Sequence, residues 1–265
     1  MSGRLLVVPT PIGNLEDITL RALSALRDAD VVACEDTRRT RVLLDRFGVK
    51  APLVSYHEHN EEARARELVG RMQAGAVVAL VSDAGMPLVS DPGFVLLREA
   101  IAAGLGIEVL PGPSAVLTAL VASGLPAASW RFVGFLPRKA AALAELFRSP
   151  ETLVAFESPK RLGKSLAAVE PSRLVAVCRE LSKVHEEVVR GTAGELAARY
   201  GDDPPKGEVV LVVGPVDDDG DQGLPDAAVA AFRELVASGA KPRVAARIVG
   251  SLTGASANAL YAART

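Results

Sequence analysis

Cysteine is nearly missing from this chain, which carries Cys34 and Cys178 alone among 265 residues. The two lie far apart, with no Cys-x-x-Cys spacing, so they cannot build a zinc site between them. Both fall in apolar, strand-like runs, which predicts buried structural thiols. A basic excess is also missing: 30 Lys and Arg against 32 Asp and Glu give a formal charge of −2. Proteins that grip bare duplex nucleic acid by counterion release are usually strongly basic. Any nucleic acid must therefore be held through local patches or within a larger assembly. No window approaches the roughly 18 apolar residues a membrane span requires. The apolar run Leu5-Leu6-Val7-Val8 is stopped by Pro9, too short for the core of a secretory signal, and this predicts a cytoplasmic protein. Hydrophobic residues make up 49 % and aromatics are scarce, which describes a soluble globular enzyme or binding protein. The length is enough for two domains of ordinary size.

What the chain does contain is alternation. Leu5–Val8, Val31–Cys34, Leu53–Ser55, Val77–Val81 and Ile107–Leu110 read as strands. Between them Leu20–Leu26, Thr40–Phe47, Glu61–Met72, Val95–Ala102 and Ser114–Ser123 show helical spacing. That order predicts βαβ units and an α/β fold with a mostly parallel sheet. Gly124-Leu125-Pro126 breaks the pattern. A second set follows at Phe132–Phe135, Leu153–Phe156, Val175–Cys178, Val188–Arg190 and Val209–Val213, with some connections too short for a crossover helix, so this sheet should be mixed. Gly214 to Pro225, with Asp217-Asp218-Asp219-Gly220-Asp221, reads as a solvated linker. Asp226 to Thr265 is Ala-rich and helical in pattern, broken at Gly239 and Gly254. The expected organisation is an α/β domain over 1–123, a second α/β domain over 124–215 that completes a ligand cleft, and a small helical domain over 222–265.

In open α/β sheets ligands bind at the carboxyl ends of strands. Four loops follow strand-like runs: Pro9 to Asn14, Ser82 to Gly93, Pro111 to Ala115, and Glu157-Ser158-Pro159. The first has one glycine where a dinucleotide fingerprint needs three, and its prolines withdraw N–H donors, so NAD is a poor fit. Ser158-Pro159-Lys160-Arg161-Leu162-Gly163-Lys164-Ser165 ends like a phosphate-binding loop. However, it begins with Ser158 in place of glycine, and Pro159 removes an amide from the nest. A helix start with an exposed basic turn is the better reading. His57-Glu58-His59-Asn60-Glu61 reads as a polar helix entrance, because histidines at i, i+2 do not share a helix face; no metal is expected.

The loops carry a resemblance. Pro9-Thr10-Pro11-Ile12-Gly13-Asn14-Leu15-Glu16-Asp17-Ile18-Thr19, Cys34-Glu35-Asp36-Thr37-Arg38, Ser82-Asp83-Ala84-Gly85-Met86-Pro87 through Ser90-Asp91-Pro92-Gly93, and Pro111-Gly112-Pro113-Ser114-Ala115 resemble the tetrapyrrole-methylase superfamily. More closely they resemble its ribosomal RNA small subunit methyltransferase I branch. Phe132 to Lys139, Phe156 to Pro159 and Arg179 to Glu187 extend the match to about residue 215. One departure stands out: the superfamily often has Gly-Asp-Pro where this chain has Ser82-Asp83-Ala84. The resemblance implies S-adenosylmethionine (SAM) as methyl donor, a homodimer, and two α/β domains with the cofactor between them. The implied reaction is methylation of the ribose 2′-hydroxyl of a decoding-region cytidine in 16S rRNA, probed most naturally within a small ribosomal subunit particle. Methylation of a tetrapyrrole or other small molecule is the alternative on the same fold; a non-enzymatic ribosome-assembly binder would leave the cofactor-type loops unexplained.

Candidate site residues follow from loops and resemblance together. Pro11, Ile12, Asp83, Met86, Ser114, Ala115 and Gly207 are expected to bind the cofactor. Asp83 could favour the sulfonium cation or simply make a turn, and Ser114 could serve a carboxylate or simply cap a helix. Asp91 is expected as the turn or cap residue ahead of the helix near Gly93. A ribose hydroxyl is a poor nucleophile and calls for a base or a cation. Asp36, Arg38, Glu157, Lys183, His185 and Glu186 are candidates, and Lys183 and Glu157 are the catalytic choices. Arg38, Arg39 and Arg41 form a basic cluster able to hold RNA phosphates.

Overall fold

The computed structural model describes residues 3–216, 226–255 and 257–263; the acidic stretch Asp217 to Asp221, read above as a linker, lies outside them. The described residues fall into two compact units that divide between Gly214 and Pro215.

The first unit opens with β1 (Arg4–Val7), α1 (Leu20–Asp28), β2 (Val31–Cys34), α2 (Thr37–Arg46), β3 (Leu53–Ser55) and α3 (Glu61–Gln73). It continues with β4 (Val77–Leu80), α4 (Phe94–Ala102), β5 (Gly106–Val109) and α5 (Ala115–Ser123). The strands pair in parallel in the order β3-β2-β4-β1-β5. Their apolar runs are nearly continuous because helices cover both faces. Leu6 and Val8 face one way, into Ala22, Leu26, Leu43 and Leu44 of α1 and α2. Leu5 and Val7 face the other, into Leu68 and Met72 of α3 and Leu96 and Ala100 of α4. The period of two decides which helix each side chain meets.

The same unit then builds a second sheet from β6 (Trp130–Phe135), β7 (Thr152–Glu157), β8 (Leu174–Arg179), β9 (Glu187–Thr192) and β10 (Val209–Val213). Its order is β6-β7-β10-β8-β9, parallel between β6 and β7 and antiparallel elsewhere. Between strands lie α6 (Ala140–Leu146), α7 (Leu162–Leu166) and α8 (Ala193–Gly201). They pack on one face of this sheet, where Leu143, Leu162, Leu166, Leu196 and Tyr200 are buried. On its other face sits α5 from the first sheet: Val116, Ala119 and Leu120 pack with Val154, Ala176, Cys178, Val210 and Val212. The Arg190 guanidinium closes this joint by donating to the carbonyls of Ala122 and Ser123, at the carboxyl end of α5 where the helix dipole favours a cation.

The phosphate-loop look-alike is resolved as packing. Pro159–Arg161 forms a 3₁₀ turn leading into α7, and the Ser165 hydroxyl turns inward to the Glu157 carboxylate. Gly163 lies where α7 meets α8, and a β-carbon there would stand 2.7 Å from the Tyr200 carbonyl oxygen. Thr192-Ala193-Gly194-Glu195 starts α8 as a capping box: the Thr192 hydroxyl accepts from the Glu195 amide, and the Glu195 carboxylate accepts from the Thr192 amide.

The second unit holds α9 (Asp226–Ala237), α10 (Pro242–Thr253) and α11 (Ala257–Ala262) around Ala228, Phe232, Ala245, Ala246, Val249 and Leu260. Its breaks fall at Gly239 and Gly254, both with positive φ, of 96° and 76°. Among the described residues no helix is long and apolar enough to cross a membrane.

Gly163→Ala is expected to lower the unfolding free energy by about 1–3 kcal/mol, since the new methyl meets backbone that cannot swing aside. Gly201→Ala, with nothing within 4 Å of the added carbon, should be neutral within about 0.5 kcal/mol. Urea unfolding of both variants checks the contrast.

Candidate active site

The carboxyl ends of β1, β2 and β4 are laced together by their loops. Thr10 and Gly85 exchange backbone hydrogen bonds, both 2.9 Å, and the Thr10 hydroxyl donates to the Ser82 carbonyl at 3.0 Å. Asp83 reaches sideways: its Oδ1 accepts from the Asp36 amide at 3.0 Å, and its Oδ2 lies 3.5 Å from Arg39 Nη1. Asp36 in turn starts α2, accepting from the amide and the guanidinium of Arg38. Those hydrogen bonds, side chain foremost, hold its carboxyl down at about 2.

Two clefts open above this edge. The first, about 370 Å³, is lined by Thr10 to Gly13, Arg39, Thr40, Ser82, Asp83, Lys183 and Glu208 among others. The second, about 440 Å³, lies between the two sheets. Its walls are apolar (Ile12, Val89, Ala115, Phe135, Phe156, Cys178, Leu181, Val209 and Val210), with Ser90, Asp91, Glu157 and Glu208 at intervals. Ile12, Ala84 and Glu208 belong to both, so the clefts share a seam.

Strained backbone flanks the seam on both sides. Leu88 and Ser90 have φ of 70° and 68°, and across the cleft Glu180 and Ser182 have φ of 51° and 63°. Non-glycine residues rarely adopt such angles outside sites that require a particular loop shape. Gly207, with φ of 95°, has no room for a side chain: a β-carbon would lie 2.5 Å from the Glu180 carboxyl. Gly13 is closed in the same way by Lys183 Cγ, also at 2.5 Å.

The expected residues are distributed as follows. Pro11, Ile12 and Asp83 line the first cleft, and Ile12, Ala115 and Gly207 the second. Ser114 is the N-cap of α5, its hydroxyl accepting from the Leu117 amide at 3.4 Å. Met86 packs against the core on the α3 and α4 side of the sheet. Lys183 lines the first cleft and pairs with Glu180 at 2.8 Å and Glu208 at 2.9 Å. Burial works against its charge, yet the hydrogen bonds to these carboxylates prevail and raise its pKa. Glu157 has a fully buried side chain that accepts from the Ser158 amide and the Ser165 hydroxyl and faces Arg161 at 3.3 Å. Its lone pairs are engaged in holding the end of β7. Arg38 and Arg41 are exposed on α2, and Arg39 alone of the three reaches a cleft wall. Asp91 does not cap α4; that position belongs to Gly93, without a side-chain cap. Asp91 lines the second cleft instead. The walls from the second sheet, Phe135, Phe156, Leu181 and Val210, were not anticipated as site residues. Their position at the mouths of strands facing α5 is the signal that would have found them.

Residues 4–197 match the model of the Tetrapyrrole (Corrin/Porphyrin) Methylases. The chain is 51 % identical over 227 residues to the Ribosomal RNA small subunit methyltransferase I of Mesorhizobium japonicum, covering 82 % of this chain and 77 % of that one. It is 45 % identical to the protein of the same name from Micromonospora olivasterospora, covering 98 % of this chain and 86 % of the relative. The chain belongs to the ribosomal RNA small subunit methyltransferase I family of the tetrapyrrole methylases. Among solved structures, the uroporphyrin-III-C-methyltransferase from Thermus thermophilus superposes with a TM-score of 0.58 at 26 % identity, covering 81 % of this chain and 94 % of that one. The enzyme is accordingly a SAM-dependent methyltransferase.

The second cleft fits that donor on its own chemistry. Apolar walls suit the adenosine and the carbon chain of the donor's amino-acid arm. The carboxylates of Asp83 and Glu35 nearby give the negative potential that a sulfonium favours. Burial and the neighbouring Asp83 charge raise the Glu35 pKa; burial, Glu35 and Asp83 raise that of Asp91 to about 6. Calorimetry should show SAM binding at about one per chain without added metal. Asp83→Ala, which frees the Asp36 amide, should weaken it by about tenfold, a cost in the range of one charge-assisted hydrogen bond. Asp83→Asn, whose amide oxygen still accepts, should weaken it less.

Proposed function

We propose that this enzyme methylates ribosomal RNA, and specifically the ribose 2′-oxygen of a decoding-region cytidine in 16S rRNA. It acts as a cytoplasmic homodimer on a small-subunit particle. The observation that carries the reading is the match to proteins named for small-subunit rRNA methylation over 98 % of this chain, which includes the helical unit beyond Pro215. The tetrapyrrole alternative rests on a likeness of 26 % identity.

SAM supplies an activated methyl group when bound. The chain's own part is to align the acceptor oxygen behind that carbon and to keep water out, and alignment alone contributes much of the rate. On this reading the apolar second cleft holds the donor and the first cleft takes the target nucleotide. Thr10, Thr40, Arg39 and Lys183 line it, groups suited to sugar and phosphate oxygens. The seam at Ile12, Ala84 and Glu208 is where the two reactants meet. Arg38 and Arg41, exposed on α2 beside the first cleft, serve flanking phosphates, with Arg38 first released from Asp36. The helical unit recognises substrate and takes no part in binding SAM.

Radiolabelled methyl transfer to small-subunit particles, followed by nuclease digestion, should place the label on a cytidine 2′-oxygen, with a slower rate on an isolated oligonucleotide. Label on a base, or on a tetrapyrrole with none on RNA, contradicts the reading. Arg41→Ala should lower the slope of log affinity against log salt by about one unit, leaving SAM affinity unchanged. Truncation after Pro215 should likewise preserve SAM affinity while lowering RNA methylation at least tenfold; loss of SAM binding in a still-folded truncation contradicts the assignment of that unit.

A further inference from the structure

Six Asp, Glu, Lys and Arg side chains line the two clefts: Arg39, Asp83, Asp91, Glu157, Lys183 and Glu208. Five of them are held by partners. Asp83 accepts from the Asp36 amide and faces Arg39. Glu157 is held by Ser158, Ser165 and Arg161. Glu208 is paired with Lys183, and Lys183 is doubly paired. Asp91 differs. It is half-buried and has no cation within ion-pair distance among the described residues; beside it stand the Ser82 hydroxyl, which lies 3.2 Å from the Gly85 carbonyl oxygen, and the carboxylates of Glu35 and Asp83. Asp91 lines the donor cleft while its neighbours Ser82 and Asp83 line the first, so it stands beside the seam.

The chain goes to some length to hold it there. Ser90, just before it, and Leu88 both have positive φ. Gly93, with φ of 134°, sits so close to Leu80 that a β-carbon would lie 2.7 Å from its Cδ2. Leu80 is buried core, so the loop carrying Asp91 is clamped to the sheet through Gly93.

Resting on the function proposed above, we infer that Asp91 is the catalytic base that takes the proton from the acceptor ribose hydroxyl. As the oxygen–carbon bond forms, the hydroxyl proton passes to the Asp91 carboxylate. The sulfur–methyl bond of SAM breaks, and its electron pair stays on sulfur to give the neutral thioether. No further reactant is needed. Lys183 is protonated in its pair of carboxylates and cannot accept a proton; Glu157 is fully buried, with Ser158, Ser165 and Arg161 on its two oxygens. Asp91 is faced by Glu35 from the end of β2, by Asp83 from its own loop and by Ser82. The two carboxylates and burial set it near 6, so at neutral pH it is ionised yet more basic than an ordinary aspartate. That is the matching a general base requires.

The test is Asp91→Asn in the full-length enzyme, assayed on small-subunit particles, with SAM affinity by calorimetry and the carboxyl titration of wild type by carbon-13 NMR. The expected result is a kcat loss of about 100-fold or more, with SAM affinity within threefold of wild type. The wild-type kcat/KM should fall at acid pH with a midpoint near 6 that the variant lacks, and the Asp91 carboxyl should titrate at the same midpoint. Activity retained within tenfold, a SAM affinity that falls in step with the rate, or an acid limb that persists in Asp91→Asn overturns the inference and leaves the RNA reading standing. A wild type that transfers no methyl to RNA overturns the RNA reading, and the inference with it.

Discussion

The seat of α5 on the second sheet is the interaction on which the site depends. Val116, Ala119 and Leu120 bury against the aliphatic face of β7, β8 and β10, a contact that contributes roughly 1.5–3 kcal/mol for each large side chain removed from water. Because α5 begins at Ser114, directly after the loop that follows β5, this seat brings the carboxyl end of the parallel sheet against the mouths of β6, β7 and β10. A cleft with one wall from each sheet follows, and neither sheet could form it alone. Arg190 locks the far end of the helix by satisfying its last carbonyls. The geometry at the mouth is thus set by packing some distance away.

Within that cleft, polar groups are placed by loop-to-loop hydrogen bonds of short reach. The Thr10–Gly85 pair and the Asp83 bond to the Asp36 amide tie three loops into one surface. Charge is uneven across it. The side formed by the β2 and β4 loops gathers Glu35, Asp83 and Asp91 with Arg39 as the nearby cation, whereas Lys183 on the opposite side is neutralised by Glu180 and Glu208. A cationic donor and an acceptor that must lose a proton both suit the acidic side.

Much of the fold was legible in residue order. All ten strand-like runs became strands, most within a residue or two at each end, because short β-branched runs between Gly, Pro and Asp turns have few other ways to bury themselves. The mixed character of the second sheet was legible too, in the Glu180-to-Glu186 connection that is too short for a crossover. The start of α7 was legible at Ser158 to Ser165, but the short helix α6 was not: it runs seven residues, and at that length periodicity is weak and tertiary packing decides. The capping box from Thr192 to Glu195, which opens α8, was present in the sequence but went unread. In the site, loops that follow strands were readable, but the orientation of single side chains was not. Asp91 reads as a turn residue in sequence; only the positive φ at Leu88 and Ser90 turns it to the cleft. Glu157 reads as an available carboxylate, and its engagement by Arg161 and Ser165 depends on how α7 packs. The apolar walls Phe135, Phe156 and Val210 look in sequence like ordinary core.

The claim that all of this serves is that the methyl donor lies between the sheets, with its sulfur toward the seam. A structure of the protein with S-adenosylhomocysteine tests it most directly. The account predicts the adenosine against Ile12, Ala115, Leu181 and Val210, and the sulfur within reach of Ile12 and Ala84 on the side facing the first cleft. A ligand seated in the first cleft between Arg39 and Lys183, or one whose sulfur points away from Asp91, would contradict it.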